Sequence, residues 1–286
     1  MSKKILIVSP LRMQWEDNYK KIFPYAEWSD LPKHGYDTYL FMWCDNATKA
    51  FINTGKKEGK YIVFVRRYEY YLDIENMDWH KVDAVIMVND WLAKGFEERT
   101  GKKPHVVYNG VDPEKWTYKE RKHGNKIAWV GFINQKKNLP LALQIMAELP
   151  EGYELHIAGS IQCLQTWDYL RHMANRLKVR VVYNGHILHE QMDSWLDDKN
   201  YILSTAISEG CPNHVIEAMA KGIKPIVHNW MGAKEQFDSF VFSNIERAIH
   251  DIGDLSPYDS QRYRYIVNDK FGLSNYEKVK EIVYAE

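Results

Sequence analysis

Two carboxylates, Glu209 and Glu217, stand eight positions apart inside the stretch Tyr201 to Glu235, and their setting gives them chemistry. The apolar run Tyr201 to Thr205 reads as a buried strand. A polar loop containing Gly and Pro, Ser208 to Asn213, leads into a short helix, His214 to Lys221, stopped by Gly222. A second strand, Lys224 to His228, completes a strand–loop–helix–strand unit. Both acids then fall at the carboxyl end of a parallel strand, where open α/β sheets place their ligands. Asn213 is the expected N-cap, after Pro212, which has no N–H to donate. The first amides of such a helix point into the loop and attract an anion, commonly a diphosphate. Negative charge beside a phosphate is otherwise unfavourable, so both acids make most sense as acceptors for vicinal hydroxyls of a sugar or ribose. The plain alternative is two solvated acids flanking an ordinary helix start, and position alone leaves the two readings level.

The string around these acids is more specific than their spacing. Ser208-Glu209-Gly210-Cys211-Pro212-Asn213 runs on through His214 to Glu217-Ala218-Met219-Ala220-Lys221-Gly222. Ile223-Lys224-Pro225-Ile226-Val227 closes it, and Met231-Gly232-Ala233-Lys234-Glu235 follows. This resembles the donor-site signature of the retaining, nucleotide-sugar-dependent glycosyltransferases of the GT-B fold, family 4. Further marks lie upstream. Tyr108-Asn109-Gly110-Val111-Asp112 resembles the family's P-N-G-V-D at its domain junction, although alone it reads as a plain turn. Val130-Gly131-Phe132-Ile133-Asn134-Gln135-Lys136-Lys137-Asn138-Leu139 is similar to V-G-R-L-x-x-x-K-G-L, whose Arg and Lys neutralise the donor diphosphate. Lys137 matches that Lys; Phe132 stands where the Arg is expected. Part of the phosphate clamp must then come from elsewhere, with Lys136 and Arg12 as candidates. Leu155 to Gly159 and Val182 to Ile187 resemble two further family strands, the second followed by backbone that pairs with the nucleobase edge, here Gly185, His186 and Ile187.

The resemblance implies specific roles. Glu209 would bind a donor sugar hydroxyl and orient the sugar, and Glu217 would bind the ribose hydroxyls. Donor contacts would come from Gly131, Lys136, Lys137, Gly185, His186, Ile187, Gly210, Cys211, Pro212, Asn213 and His214. A leaving diphosphate and a cationic sugar must both be stabilised, and the amides of a helix start together with Lys137 can hold the phosphates. No convincing Asp-x-Asp pair is present, since Asp197 and Asp198 are adjacent. The expectation is therefore metal-independent transfer with retention at the anomeric carbon, with no cofactor beyond the nucleotide-diphosphate sugar itself as co-substrate.

Those residues need elements to hold them. Lys4 to Ser9, Thr38 to Trp43, Lys60 to Arg66, Asp83 to Val88 and Pro104 to Tyr108 are apolar runs alternating with helical segments. Lys126 to Gly131, Tyr153 to Ala158, Val179 to Tyr183 and the unit above repeat the pattern. Such alternation predicts parallel sheets covered on both faces. The expected fold class is α/β, with two Rossmann-like doubly wound domains facing a cleft, as in GT-B. The first would cover residues 1–112, the second 113–255, and helices in 256–286 would cross back onto the first. The polar stretch Tyr118 to Asn125 reads as a linker.

Composition narrows the classes. Lys+Arg and Asp+Glu are both 38 among 286 residues, which argues against a partner held by bulk electrostatics. Cys44, Cys163 and Cys211 are far apart, which argues for a reducing compartment and against a disulfide framework or zinc knuckle. No run approaches the ~20 apolar residues of a membrane span, and a cytoplasmic protein is expected.

The first domain resembles the family poorly. The Gly-rich loop after its first strand is missing, and the stretch Val65-Arg66-Arg67-Tyr68-Glu69 holds no His where the family often has one. Arg12, Arg66, Arg67 and Tyr68 are candidate phosphate or acceptor contacts. The acceptor is expected to be a saccharide or another hydroxyl compound. DNA bearing a hydroxymethylated base is an alternative, but residues 1–112 carry 17 Lys+Arg against 16 Asp+Glu, a small excess for a duplex binder. A non-catalytic protein that only binds a nucleotide sugar is the third reading, and the missing Arg and His are its support.

Overall fold

The computed structural model describes residues 3–11, 13, 15–253 and 256–285. The apolar runs form strands of two six-stranded sheets, and every registered pair is parallel. The chain divides into two units, 1–110 with 273–286, and 111–272.

In the first unit the strands are β1 (Ile5–Val8), β2 (Glu27–Ser29), β3 (Thr38–Phe41), β4 (Lys60–Val65), β5 (Ala84–Met87) and β6 (His105–Val106). Helices α1 (Glu16–Ile22), α2 (Asn46–Thr54), α3 (Arg67–Tyr70) and α4 (Asp90–Thr100) connect them. The sheet order is β2-β1-β3-β4-β5-β6. Alternate residues of one strand serve opposite faces, as the twofold strand period requires. Leu6, Val8, Tyr39, Phe41, Val63 and Val85 pack on one side, and Ile5, Ile7, Leu40, Ile62, Phe64 and Ile86 on the other. Strand β2 is not among the expected strands. It is three residues long, sits at the sheet edge, and buries too little to show an apolar run.

In the second unit the strands are β7 (Lys126–Val130), β8 (Glu154–Ala158), β9 (Arg180–Tyr183), β10 (Tyr201–Ser204), β11 (Lys224–His228) and β12 (Val241–Phe242). Its helices are α5 (Leu139–Glu148), α6 (Leu164–Leu177), α7 (His189–Trp195), α8 (Asn213–Ala220), α9 (Ala233–Phe237), α10 (Ile245–Ile252) and α11 (Ser260–Lys270). The order β12-β11-β10-β7-β8-β9 winds outward in both directions from the β7/β10 pair. That pair is the topological switch point, and its carboxyl ends are where a doubly wound sheet leaves room for a ligand.

Two expectations need correction. The tail does not behave as one piece. Helix α12 (Ser274–Tyr284) belongs to the first unit, where Tyr276 packs edge-on against Tyr19 at 5.0 Å and its hydroxyl donates to the Gly110 carbonyl at 2.8 Å. Helix α11 stays in the second unit because it closes the carboxyl end of α8. Ser260 Oγ donates to the Gly222 carbonyl and an Arg264 NH group to that of Ala220, each at 2.8 Å. The stretch read as a linker is likewise a pinned strap. Thr117 donates to Asp193 through its N–H and its hydroxyl, Lys119 pairs with Asp197, and Arg121 donates to the carbonyls of Lys199 and Lys221. Of its charges the Arg121 side chain is buried against those carbonyls, while Lys119, Glu120 and Lys122 remain exposed.

No helix of the described residues is long and apolar enough to cross a membrane. The three cysteines are free thiols.

Candidate active site at the β7/β10 switch point

The loops that follow β7 and β10 are tied to each other. Buried Trp129 donates its indole N–H to Thr205 Oγ1 at 3.0 Å, and Thr205 passes a hydrogen bond to the Lys137 carbonyl, also at 3.0 Å. The Ile207 amide donates to the Lys136 carbonyl at 2.9 Å. Asn134 Oδ1 accepts from the Lys137 amide at 3.0 Å and fixes the turn. Lys136 and Lys137 therefore have defined backbones before any side chain is considered.

Gly131 is needed for the same turn. Its φ is +153°, and a Cβ there would lie about 3.0 Å from Lys137 Cε. Gly159, at the end of β8, packs its backbone directly under this turn. Its amide donates in turn to the Gly185 carbonyl at 2.7 Å. A pocket of about 240 Å³ lies beside these glycines, lined by Gly131, Phe132, Lys137, Gly159, Ser160, His186, Ile187 and Met192 among others.

Glu209 closes the polar side. Its Oε1 lies 2.6 Å from Lys137 Nζ and its Oε2 3.5 Å from Lys136 Nζ. The residue is 9% exposed. Burial pushes its carboxyl up, but the charges of Lys137 and then Lys136 outweigh that and hold it down at about 2. His214, in the first turn of α8, goes the other way. Burial and then the Lys137 charge push its imidazole down to about 3, so it is neutral near pH 7. The site thus holds two fixed cations against one fixed anion, an excess of positive charge suited to phosphate.

Helix α8 starts one residue earlier than the sequence suggested. Pro212 is the N-cap and makes no side-chain cap bond; Asn213 is the first helical residue, which corrects its expected capping role. The preceding loop is held from behind, since Gln236 of α9 donates to the Gly210 carbonyl at 2.7 Å. Cys211 is buried. One turn into α8, Glu217 is 8% exposed, and its Oε1 lies 3.0 Å from His189 Nε2. Among the described residues no cluster of three or more His, Cys, Asp or Glu is placed to hold a metal ion.

Residues 124–254 match the family model described as glycosyl transferases group 1. The second unit carries a glycosyltransferase domain. On this match the protein is an enzyme, a glycosyltransferase. No curated protein sequence matches the chain. Solved structures share the fold at low identity. HepE of Anabaena, crystallised with UDP and glucose, aligns at a TM-score of 0.77 and 12% identity, over 100% of both chains. A glycosyltransferase of Rickettsia africae aligns at 0.76 and 14%, also over 100% of both. WaaB, a lipopolysaccharide outer core galactosyltransferase, aligns at 0.74 and 14%, over 99% of each. The two parallel sheets are those of the GT-B architecture.

Within the transferase domain, Gly131, Lys136, Lys137, Glu209 and the first turn of α8 gather at the carboxyl ends of β7 and β10. Gly185, His186 and Ile187 follow β9. The Gly185 carbonyl accepts from the Gly159 amide, and His186 and Ile187 line the pocket beside Gly131. Arg66, Arg67 and Tyr68 belong to the first unit, at the carboxyl end of β4. The Arg66 guanidinium stacks over Trp15, Trp43 and Phe64 at 5.1, 5.5 and 4.7 Å, and donates to Asn109 Oδ1. Arg67 lies over Tyr71, and Tyr68 is exposed. Arg12 lies outside the described residues. His189, Gln236, Thr205 and Asn134 are positioning groups absent from the sequence-derived set. Their roles depend on contacts 26 to 76 positions away, except for Asn134, whose turn spans three.

Proposed function

We propose that the protein is a retaining, metal-independent glycosyltransferase of family 4 type that moves a hexose from a nucleoside-diphosphate sugar to a saccharide hydroxyl. The observation that carries this reading is the buried Glu209 carboxylate clamped between Lys136 and Lys137 beside the start of α8. The diphosphate lies against the α8 amides and Lys137, with Lys136 supplying the cation that Phe132 does not. Helix amides and two ammonium groups neutralise developing phosphate charge in place of a divalent ion.

Donor binding draws Lys137 toward phosphate and frees Glu209 to accept from a sugar hydroxyl. Glu217 accepts from the ribose hydroxyls. The bond between the anomeric carbon and the leaving phosphate oxygen breaks while the acceptor oxygen attacks from the same face. The acceptor proton passes to the departing phosphate, so no protein base is required. HepE in complex with UDP and glucose makes UDP-glucose the first donor to try, and the galactosyltransferase WaaB makes UDP-galactose the second. Free thiols support a reducing, cytoplasmic setting.

The test is transfer and hydrolysis with a panel of labelled UDP-, GDP- and ADP-sugars and saccharide acceptors, for wild type and Glu209→Ala. Turnover with one nucleotide class, lost in the variant, is expected. Unchanged turnover in Glu209→Ala would remove that carboxylate from the mechanism.

A further inference from the structure

Glu217 shares its carboxylate with an imidazole. Oε1 is bonded to His189 Nε2 at 3.0 Å, while Oε2 takes no hydrogen bond from the described residues. His189 is the first residue of α7 and is held from two sides. Its ring packs edge-on against the buried Trp116, with centroids 5.5 Å apart and planes at 80°. Its helix is anchored by Asp193, which accepts from the Thr117 amide and hydroxyl at 2.9 Å each. A ring so wedged fixes the carboxylate bonded to it, because a bond to a rigid donor removes the side-chain rotation a lone Glu retains.

We propose that His189 is a positioning residue that holds Glu217 with one oxygen occupied and the other presented to a ribose diol, and so sets discrimination between ribose and 2′-deoxyribose nucleotides. This rests on the reading that Glu217 meets the ribose. A carboxylate held for a vicinal diol penalises a ligand lacking one hydroxyl, since a hydrogen bond to a charged acceptor is lost. Pairing serves a second purpose at an anion site. The imidazolium offsets the Glu217 charge near the incoming diphosphate.

The charged groups acting on His189 are Glu217 of α8, Lys115 of the 3₁₀ turn Pro113–Lys115, and its own neighbour Glu190. The hydrogen bond to Glu217 dominates and raises the imidazole above its ordinary range. The charged pair is therefore present below the ordinary imidazole range and is lost as pH rises through that raised value.

Calorimetric binding of UDP, GDP and ADP, each beside its 2′-deoxy form, tests this without turnover. In wild type at pH 7 the best ribonucleotide should bind ~10-fold tighter than its deoxy counterpart. Glu217→Gln and His189→Ala should each bring that ratio toward one, and combining them should add nothing. His189→Gln, whose amide can still donate, should keep most of the ratio. As pH rises from the ordinary imidazole range upward, the ratio should shrink in wild type and stay flat in His189→Gln, a comparison that stands even if His189→Ala does not fold. An unchanged ratio in a folded His189→Ala that binds nucleotide, with Glu217→Gln impaired, would overturn the role of His189 alone. An unchanged ratio in Glu217→Gln, or no nucleotide binding by wild type, would instead overturn the ribose reading and this inference with it.

Discussion

Lys137 Nζ and Glu209 Oε1 lie 2.6 Å apart, and each would be costly to bury without the other. Removing one charge strands its partner. Lys137→Ala removes the nearer of the two lysines from Glu209 and should destabilise the fold by about 3 kcal/mol. Lys137→Met combined with Glu209→Gln should recover much of that stability while transfer stays ~100-fold or more below wild type. Thermal unfolding and turnover on the same samples separate the two effects. Recovery of turnover in the double variant would contradict a phosphate role for Lys137.

Glu209 also predicts an acid limb. Its carboxyl is held near 2 in the folded protein against 4.5 ordinarily. A depressed carboxyl contributes stability that is present above its ordinary value and lost as pH falls toward the folded one. Stability should decline from about pH 4.5 to about pH 2, and Glu209→Gln should flatten part of that decline. Denaturant midpoints measured across this window check it.

A Cβ at Gly159 would lie 1.8 Å from the Gly131 carbonyl oxygen, and φ at Gly159 is +154°. Gly159→Ala must therefore push the β7 loop away or refold its own backbone. Either displaces Lys137 from Glu209. Nucleotide affinity should fall by ~10-fold or more even where the protein stays folded. Titration calorimetry alongside circular dichroism reads both.

Why these glycines matter is partly legible in the sequence. Parallel sheets are visible because strands buried on both faces read as continuous apolar runs, as in Ile5 to Val8 and Tyr201 to Leu203. The acids and Lys137 are visible because local spacing carries them. The partners that hold them are not. His189 meets Glu217 across 28 positions and Trp129 meets Thr205 across 76, and no period encodes such pairs. The stretch Tyr118 to Asn125 misleads for the opposite reason. Arg121 looks solvated until the carbonyls of Lys199 and Lys221 are seen beneath it. Asn213 misleads as a cap because Pro212 takes that position.

Lys221 is fully buried, and its ammonium meets Asp193 and the Thr117 carbonyl at 3.2 Å for the latter. It links the strap, α7 and the end of α8. Lys221→Ala should cost roughly 3 kcal/mol of unfolding free energy. At temperatures where the variant remains folded, nucleotide affinity should change little, because Asp193 keeps both of its bonds from Thr117 and none of these groups lines the pocket beside Lys137. A large affinity loss without a loss of stability would show that the strap acts on the site directly.

Phe132 offers a gain-of-function test. It is 50% exposed, borders the pocket with Lys137, and occupies the place of the motif's Arg. An Arg there has no core packing to disturb and brings a planar fork of donors to a phosphate. If the diphosphate sits beside Lys137, Phe132→Arg should lower the Kd for the nucleoside diphosphate by ~10-fold, about 1.4 kcal/mol. The gain should weaken at high salt, because part of the site stays solvent-exposed. Lys136→Ala should cost more in wild type than in Phe132→Arg, since the two cations would share one role. Equal cost in both backgrounds would mean that Lys136 does not stand in for the missing Arg, and affinity unmoved by Phe132→Arg would place the phosphates elsewhere.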